Sequence, residues 1–318
     1  MKKKIAVLLS SYNGEKYISE QLETILNQEY ENCQVDIYIR DDGSIDKTTD
    51  IVDEYIARKD NIFLINGNNV GVTHSFFNLI LLEQVRNYDF YAFCDQDDFW
   101  LKDKLTTMIA VIDNSKPNLV CCSYTVTDDK LNKLRDVICD EEIEFGSVLV
   151  DSSFPGCTMV FNKALFKLVE KSLHHPLAWK ASIHDLWVLM IATVFGEVKT
   201  INKIGILYRQ HNNNAIGAST SFASKLKRSI KNTCRMRDKH SYIDDAIIFS
   251  QVFKNDCIPT KITKILNEAV YSGSNLFLRL NMIFSGNLYK KGLHRNLYFR
   301  LRVLFHFYKI HLNKSNLS

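Results

Sequence analysis

"FYAFCDQDDFW", residues 90–100, runs apolar and then stops abruptly in Asp95, Asp97 and Asp98, with two aromatics directly after. A short apolar run bounded by polar residues reads as a strand buried on both faces. Three carboxylates at the point where it surfaces repel one another, so the chain must gain something by holding them there. The stretches upstream show what kind of sheet this strand belongs to.

"IAVLLSS" (5–11) reads as a buried strand, and "EKYISEQLETILNQ" (15–28) carries Ile18, Leu22, Ile25 and Leu26 at helical spacing. "VDIYIR" (35–40) is a second strand. "DGS" then breaks the pattern, and Asp46 is placed to cap a helix over "KTTDIVDEYIARK" with the stripe Ile51, Val52, Tyr55 and Ile56. "NIFLIN" (61–66) is a third strand, "HSFFNLILLEQV" (74–85) a helix and "FYAFCD" (90–95) the fourth strand. Such alternation predicts an α/β fold, a mostly parallel sheet covered by helices. Sheets of this kind bind ligands beyond the carboxyl ends of their strands. At those ends stand Ser10-Ser11-Tyr12-Asn13-Gly14, Asp41-Asp42-Gly43-Ser44 and Asp95-Gln96-Asp97-Asp98, and all three should meet in one cleft.

Beyond residue 118 the order is less regular. "NLVCCSYTVTD" reads as a strand, "FPGCTMVFN" (154–162) as a turn and strand, "KALFKLVEKSL" and "IHDLWVLMIATVF" (183–195) as helices, and "YRQHNNNAIG" (208–217) as a polar loop. From about 221 onward the chain reads as helices. No internal repeat or low-complexity linker is visible.

The chain has 318 residues, 46% hydrophobic and 24% charged, which excludes a disordered or fibrous protein. Its eight cysteines form no CxxC, and Cys121–Cys122 lie in an apolar run, the pattern of core thiols in a reducing compartment. The run Ile5–Leu9 is too short for a secretory signal, so none is expected. The longest nearly uncharged apolar run, residues 186–196, is about half of a membrane span. The charge is split unevenly. Residues 1–220 hold 22 Lys and Arg against 31 Asp and Glu, whereas residues 221–318 hold 18 against 5. Two regions of opposite sign suggest two jobs, with boundaries expected at 1–220 and 221–318.

One solution to crowded carboxylates is a divalent cation. Mg²⁺ and Mn²⁺ take oxygen ligands and commonly share them between carboxylates and phosphates. The alternative is a solvated turn, with Asp97 or Asp98 capping the next helix. The apolar strand before the cluster, Trp100 after it, and two further polar loops at the same edge favour the cation.

In order along the chain, "SSYNGEKYISEQLETILNQ", "IRDDGSIDKT", "NVGV", "CDQDDFW", "GCTMVFN", "HDLW" and "YRQHNNN" together resemble glycosyltransferase family 2. The resemblance covers about the first 220 residues. "DQDDFW", "HDLW" and "YRQH" resemble the bacterial members that use dTDP-rhamnose. The resemblance implies the GT-A fold, a Rossmann-like sheet flanked by helices, here with a C-terminal helical extension. It implies transfer of a sugar from a dTDP- or UDP-linked donor, with inversion, to a hydroxyl of a cell-surface polysaccharide or lipid-linked acceptor.

Residue by residue, the resemblance implies that Asp97 and Asp98 hold Mn²⁺ or Mg²⁺, with Asp95 beside them on the donor. It gives Ser10, Tyr12 and Asn13 to the base and ribose, and Asp42 to the N3–H of the base. Asp41–Asp42 also read as an Asx turn with Gly43; Asp41 is assigned to the turn and Asp42 to the ligand. Asp185 takes the position of the catalytic base, which accepts the proton of the acceptor hydroxyl; a helix-capping role is the other reading. His184 stands where many relatives have Glu. His211 is implied as a third metal ligand and Arg209 as a contact to the diphosphate, with a solvated loop histidine as the alternative. Gly156, Cys157, Trp100, Trp187 and His184 are implied around the sugar and acceptor, and for the tryptophans plain core packing is the other reading.

"LYFRLRVLFHFYKIHL" (297–312) places Leu297, Leu301, Leu304, Phe305 and Tyr308 at helical spacing with Arg300, Arg302 and Lys309 among them. It reads either as an amphipathic helix in a membrane interface or as a helix packed on the catalytic domain. The protein is therefore expected in the bacterial cytoplasm, peripheral to the inner face of the membrane. No nucleic-acid-binding motif is present. A metal-dependent phosphohydrolase would need a further His/Asp set that the sequence lacks, and a membrane-surface adaptor would leave the polar cleft without a purpose.

Overall fold

The computed structural model describes residues 2–29, 33–139, 142–151, 154–210, 241–305 and 312. Its strands are β1 (Lys3–Ser11), β2 (Cys33–Asp41), β3 (Ile62–Asn66), β4 (Phe90–Asp95), β5 (Phe99–Trp100), β6 (Asn118–Thr127), β7 (Lys133–Val137), β8 (Met159–Asn162) and β9 (Glu197–Arg209). Its helices are α1 (Ile18–Leu26), α2 (Thr48–Ile56), α3 (Val72–Ile80), α4 (Lys104–Ala110), α5 (Phe145–Val150), α6 (Lys163–Leu173), α7 (His184–Phe195), α8 (Tyr242–Val252), α9 (Thr260–Ser272), α10 (Leu276–Ser285) and α11 (Leu293–Leu304). The chain divides into two compact units.

The first unit comprises Met1–Glu142, Phe154–Leu173 and Ile183–Ala215. One sheet runs in the order β3-β2-β1-β4-β8-β6-β9-β5, with β7 on β6. The first four strands in that order are parallel, as the alternating pattern predicts, and β8 then runs antiparallel between β4 and β6. Ile5, Ala6, Val7, Leu8 and Leu9 are all sealed from solvent, because a parallel strand is covered on both faces. Ile18, Leu22 and Ile25 of α1 are buried, the predicted stripe. Lys47 stands at the N-cap of α2 without a side-chain cap, and Asp46, one residue before it, accepts the Thr48 N–H at 3.0 Å and the Glu15 N–H at 3.1 Å, tying the start of the helix to the loop after β1. Cys121 and Cys122 are core residues.

The helix expected over 74–85 is shorter. It ends at Ile80, since Leu82 is extended, and Glu83–Val85 form a separate 3₁₀ turn. Neither β5 nor β7 is anticipated by periodicity. β5 is two residues long and exists through its pairing with β9, and β7 is almost wholly exposed. α7 is buried nearly all round, as its unbroken apolar sequence requires.

The second unit comprises Ile143–Ser153, His174–Ser182 and Ile216–Ser318. It is helical, as expected, and it also takes two segments from within the first 220 residues. Ser241 and Asp244 form a capping box at the start of α8. Tyr242 reaches Ser272 of α9 at 2.9 Å, and Asp151 pairs with Arg295 at 2.7 Å. No helix of the described residues is long and apolar enough to cross a membrane.

Candidate active site

The sheet register brings the strand ends together: Ser10 is level with Arg40 on one side and Asp95 on the other, and Ser11 with Asp41. Asp41 accepts from the Gly43 and Ser44 amides at 3.1 and 2.7 Å and from the Ser11 hydroxyl at 3.0 Å. That is the Asx turn read from the sequence, and Gly43 closes it at φ +84°. Asp42 is buried in an ion pair with Arg40 and accepts the amides of Val70 and Gly71 at 3.0 and 2.8 Å. Its carboxylate therefore fixes the "NVG" loop at the head of α3. The Ser10 hydroxyl donates to Ser75 Oγ of α3 at 2.7 Å. Asn13, at φ 48°, accepts the Ile45 amide at 2.9 Å. The Tyr12 side chain is about half exposed (46%), the state of a ring free to stack on a ligand.

Beyond β4, the ligand atoms of Asp95, Asp98 and Cys157 lie within 4.8 Å of one another. Cys157 is on a 3₁₀ turn, Gly156–Thr158, that packs on β4. Asp98 is buried; one oxygen accepts the Arg209 amide at 3.1 Å, while Oδ2 has no hydrogen-bond partner. Burial, reinforced by Asp97 and Asp185, pushes the Asp95 carboxyl up to about 7. Burial, with Asp97 and Asp95, pushes Asp98 well above the usual carboxylate range. A pair held in this state has room for positive charge. Burial also raises the Cys157 thiol far above its ordinary value, so it stays protonated and is a poor partner for a hard cation. The two carboxylates fit Mg²⁺ or Mn²⁺ in donor chemistry, and the orphaned Oδ2 is the atom such an ion would satisfy.

Asp185 sits in the first turn of α7, accepting the amides of Leu186 and Gly156. Burial pushes it up to about 7, moderated by those amides. His184 is stacked on Phe76 at 3.9 Å and edge-on to Phe93 at 5.1 Å, with neither ring nitrogen hydrogen-bonded. Burial lowers it to about 3, so the ring is neutral. A Cβ at Gly156 would stand 2.8 Å from its Nε2.

Several expected residues are placed differently. Trp100 and Trp187, expected as walls for a sugar, are each 1% exposed. Trp100 lies under the Lys104 ammonium, and Trp187 donates to Ser172 at 3.0 Å; core packing claims both rings. Arg209, expected on the diphosphate, is buried. It donates to the carbonyls of Asp97 and Asp129 at 2.9 and 2.6 Å, pairs with Glu20 and covers the Tyr17 ring. It anchors the acidic loop from behind. The close carboxylate pair is Asp95 with Asp98, with Asp97 partly exposed beside them. His211 lies outside the described residues.

Two residues escaped the sequence reading. Gln96 clamps the Tyr12 backbone. Lys104 is buried, donates to the Cys157 carbonyl at 2.8 Å, and is drawn down to about 8 by burial, partly offset by its neighbours, Asp98 among them. A lysine in register with Leu105, Met108 and Ile109 on the inward face of α4 was the available signal for it.

The family described as "Glycosyl transferase family 2" matches residues 6–167. The dTDP-rhamnosyl transferase RfbG of Shigella flexneri is 31% identical over 228 residues, 69% of this chain and 77% of that protein. Among solved structures, S. aureus TarS 1-349 in complex with UDP-GlcNAc shares the fold at TM-score 0.56 and 14% identity, over 96% of this chain and 89% of that one. The mannosyltransferase PcManGT from Pyrobaculum calidifontis, solved with GDP-Man and Mn2+, matches at TM-score 0.51 and 15% identity, over 96% and 81%.

Proposed function

The chain belongs to glycosyl transferase family 2, a glycosyltransferase acting on a nucleotide sugar, and from that premise we propose that it moves rhamnose from dTDP-rhamnose to a glycan hydroxyl in a single inverting, metal-dependent displacement. The observation carrying the mechanism is the half-buried Asp95 set against the buried Asp98, whose Oδ2 has no hydrogen-bond partner. The similarity to a dTDP-rhamnosyl transferase supports the donor.

Asp95 and Asp98 would hold Mn²⁺ or Mg²⁺, with Asp97 adjacent. When bound, the ion supplies Lewis-acid neutralisation of the departing diphosphate. Tyr12, exposed at the end of β1, stacks on the base, and Ser10 and Asn13 shape that loop. Asp42 holds the neighbouring "NVG" loop for the same half of the donor. Asp185 accepts the proton of the acceptor hydroxyl as that oxygen bonds to the anomeric carbon; the carbon–oxygen bond to the diphosphate breaks and its electron pair leaves with the phosphate. A carboxyl with a pKa of about 7 is matched to that task at neutral pH. His184, neutral and wedged between Phe76 and Phe93, fixes the first turn of α7 beside Gly156. The proposed compartment is the reducing cytoplasm, supported by the free thiols Cys94, Cys121, Cys122, Cys139 and Cys157.

The test is donor turnover with a panel of dTDP- and UDP-sugars plus Mn²⁺, read as nucleoside diphosphate released and as the anomeric configuration of the product. The proposal expects dTDP-rhamnose to be turned over at least about tenfold faster than any UDP-hexose, a preference worth about 1.4 kcal/mol. Faster turnover of a UDP-hexose would overturn the donor, and a retained configuration would overturn the displacement.

A further inference from the structure

The second unit carries large apolar side chains in water. On α11, Leu293, Leu297 and Leu301 are exposed at 81, 55 and 44%, and Phe305 just beyond continues the same i, i+4 line. The opposite side of α11 is spent inward, since Phe299 and Val303 are each about 1% exposed. On α10, Phe277 and Phe284 stand out at 77 and 82%, one heptad apart and therefore on one side of the helix. Scattered exposed leucines are ordinary, but an aligned stripe together with two nearly bare phenylalanines marks an interaction surface.

Charge selects the partner. Residues 260–305 hold eight Lys and Arg, and Glu268 is their one acidic residue. Lys261 pairs with Glu144, and Lys290 and Arg295 pair with Asp151; Arg300, beside the leucine stripe on α11, has no carboxylate partner among the described residues, and Lys264 on α9 is exposed. A second copy of this chain would bring like charge against like across a symmetric interface. An anionic lipid headgroup layer complements the cations and offers acyl chains to the phenylalanines and leucines.

We propose that α10 and α11 seat the protein on an anionic bilayer surface, with Phe277, Phe284, Leu293, Leu297 and Leu301 entering the interface and the neighbouring cations meeting the headgroups. The helices lie on the membrane and do not cross it. The proposal concerns the second unit and does not depend on which donor sugar is used.

The test is co-sedimentation of the full chain with vesicles of phosphatidylglycerol and phosphatidylcholine in equal parts, with pure phosphatidylcholine vesicles as comparison. The proposal expects binding to the anionic vesicles at least about tenfold tighter than to the neutral ones. It also expects binding to fall steeply when salt is raised from about 0.1 M to about 1 M, which shortens the screening length from about 10 Å to about 3 Å. The variant Phe277→Ser/Phe284→Ser/Leu297→Ser should lose at least about tenfold in vesicle affinity while keeping the same turnover on a water-soluble acceptor. All three side chains are exposed, so folding should survive, and the salt arm uses the unaltered chain. Equal binding to both vesicle types, no binding to either, or an unaltered affinity in the triple variant would overturn the proposal. So would a dimer in solution that the triple variant dissolves, since a second copy would then be the true occupant of this face.

Discussion

Gln96 and Tyr12 are joined by two hydrogen bonds running in opposite directions: the Tyr12 amide donates to Oε1 at 2.8 Å, and Nε2 donates to the Tyr12 carbonyl at 3.1 Å. One side chain from the acidic loop thereby sets the path of the loop after β1. The half of the cleft proposed to hold the nucleoside is mechanically tied to the half proposed to hold the diphosphate. A Cβ at Gly14 would collide with the end of the same Gln96 side chain, so the clamp holds this position only with a residue that lacks one.

Replacing Gln96 by Ala removes both bonds and leaves the carboxylates in place. Each bond is worth about 1 kcal/mol, and water can take over part of that at this exposed site. We expect the KM for the donor to rise about fivefold with kcat within about a factor of two. Steady-state kinetics over donor concentration reads the split; an unchanged KM would show that the clamp does not shape the donor site.

Asp185→Asn keeps the shape of the carboxyl and removes its basicity. Turnover should fall by about 10²–10⁴-fold with donor affinity nearly intact. In the unaltered enzyme the base form accumulates as pH rises through about 7, so kcat should climb through that region, and this rise should vanish in the variant. A variant with near-native turnover, or with the same pH limb, would remove Asp185 from the role of base.

Gly156→Ala drives a methyl to within 2.8 Å of His184 Nε2 and 3.4 Å of the Asp185 Cβ. We expect kcat to drop by at least about tenfold with the fold retained by circular dichroism. Because the obstacle is the imidazole, adding His184→Ala should restore part of the loss, a coupling read by a double-mutant cycle. Strictly additive losses would mean that the glycine is needed for another reason.

Asp95 and Asp98 hold their protons more tightly when folded than when unfolded, where an aspartate titrates near about 3.9. The unfolded chain then binds fewer protons over this range, so their contribution makes the metal-free protein less stable as pH rises from about 4 towards 7. Asp95→Asn and Asp98→Asn should each lessen the fall in Tm between pH 5.5 and pH 8, and Mn²⁺ should offset it in the unaltered protein; these pH values are about those that bracket the transition. Identical pH slopes in all three proteins would contradict the electrostatic account of the cluster.

The parallel half of the sheet was legible because each of its strands is buried on both faces and reads as an unbroken apolar run, and because the turns after β1, β2 and β4 are rich in Asp, Asn and Gly. The same logic located Asp41 in its turn and brought Ser10, Asp42 and Asp95 to one edge. What stayed hidden depends on partners distant in sequence. β5 exists only through β9, and Arg209 is recruited by Glu20, nearly two hundred residues away. Trp100 looks the same on paper whether it walls a pocket or lies under Lys104. The pairing of Asp98 with Asp95 follows from the turn of the loop after β4, which periodicity does not encode.

The central claim, that the carboxylates ending β4 hold a divalent ion that grips the donor's diphosphate, is tested most directly by calorimetric titration of dTDP into the protein with Mn²⁺ and again with excess EDTA, repeated on Asp98→Asn. The account predicts binding that depends on Mn²⁺ and weakens by at least about tenfold in the variant, a loss of about 1.4 kcal/mol. Equal affinity with and without Mn²⁺ would contradict it.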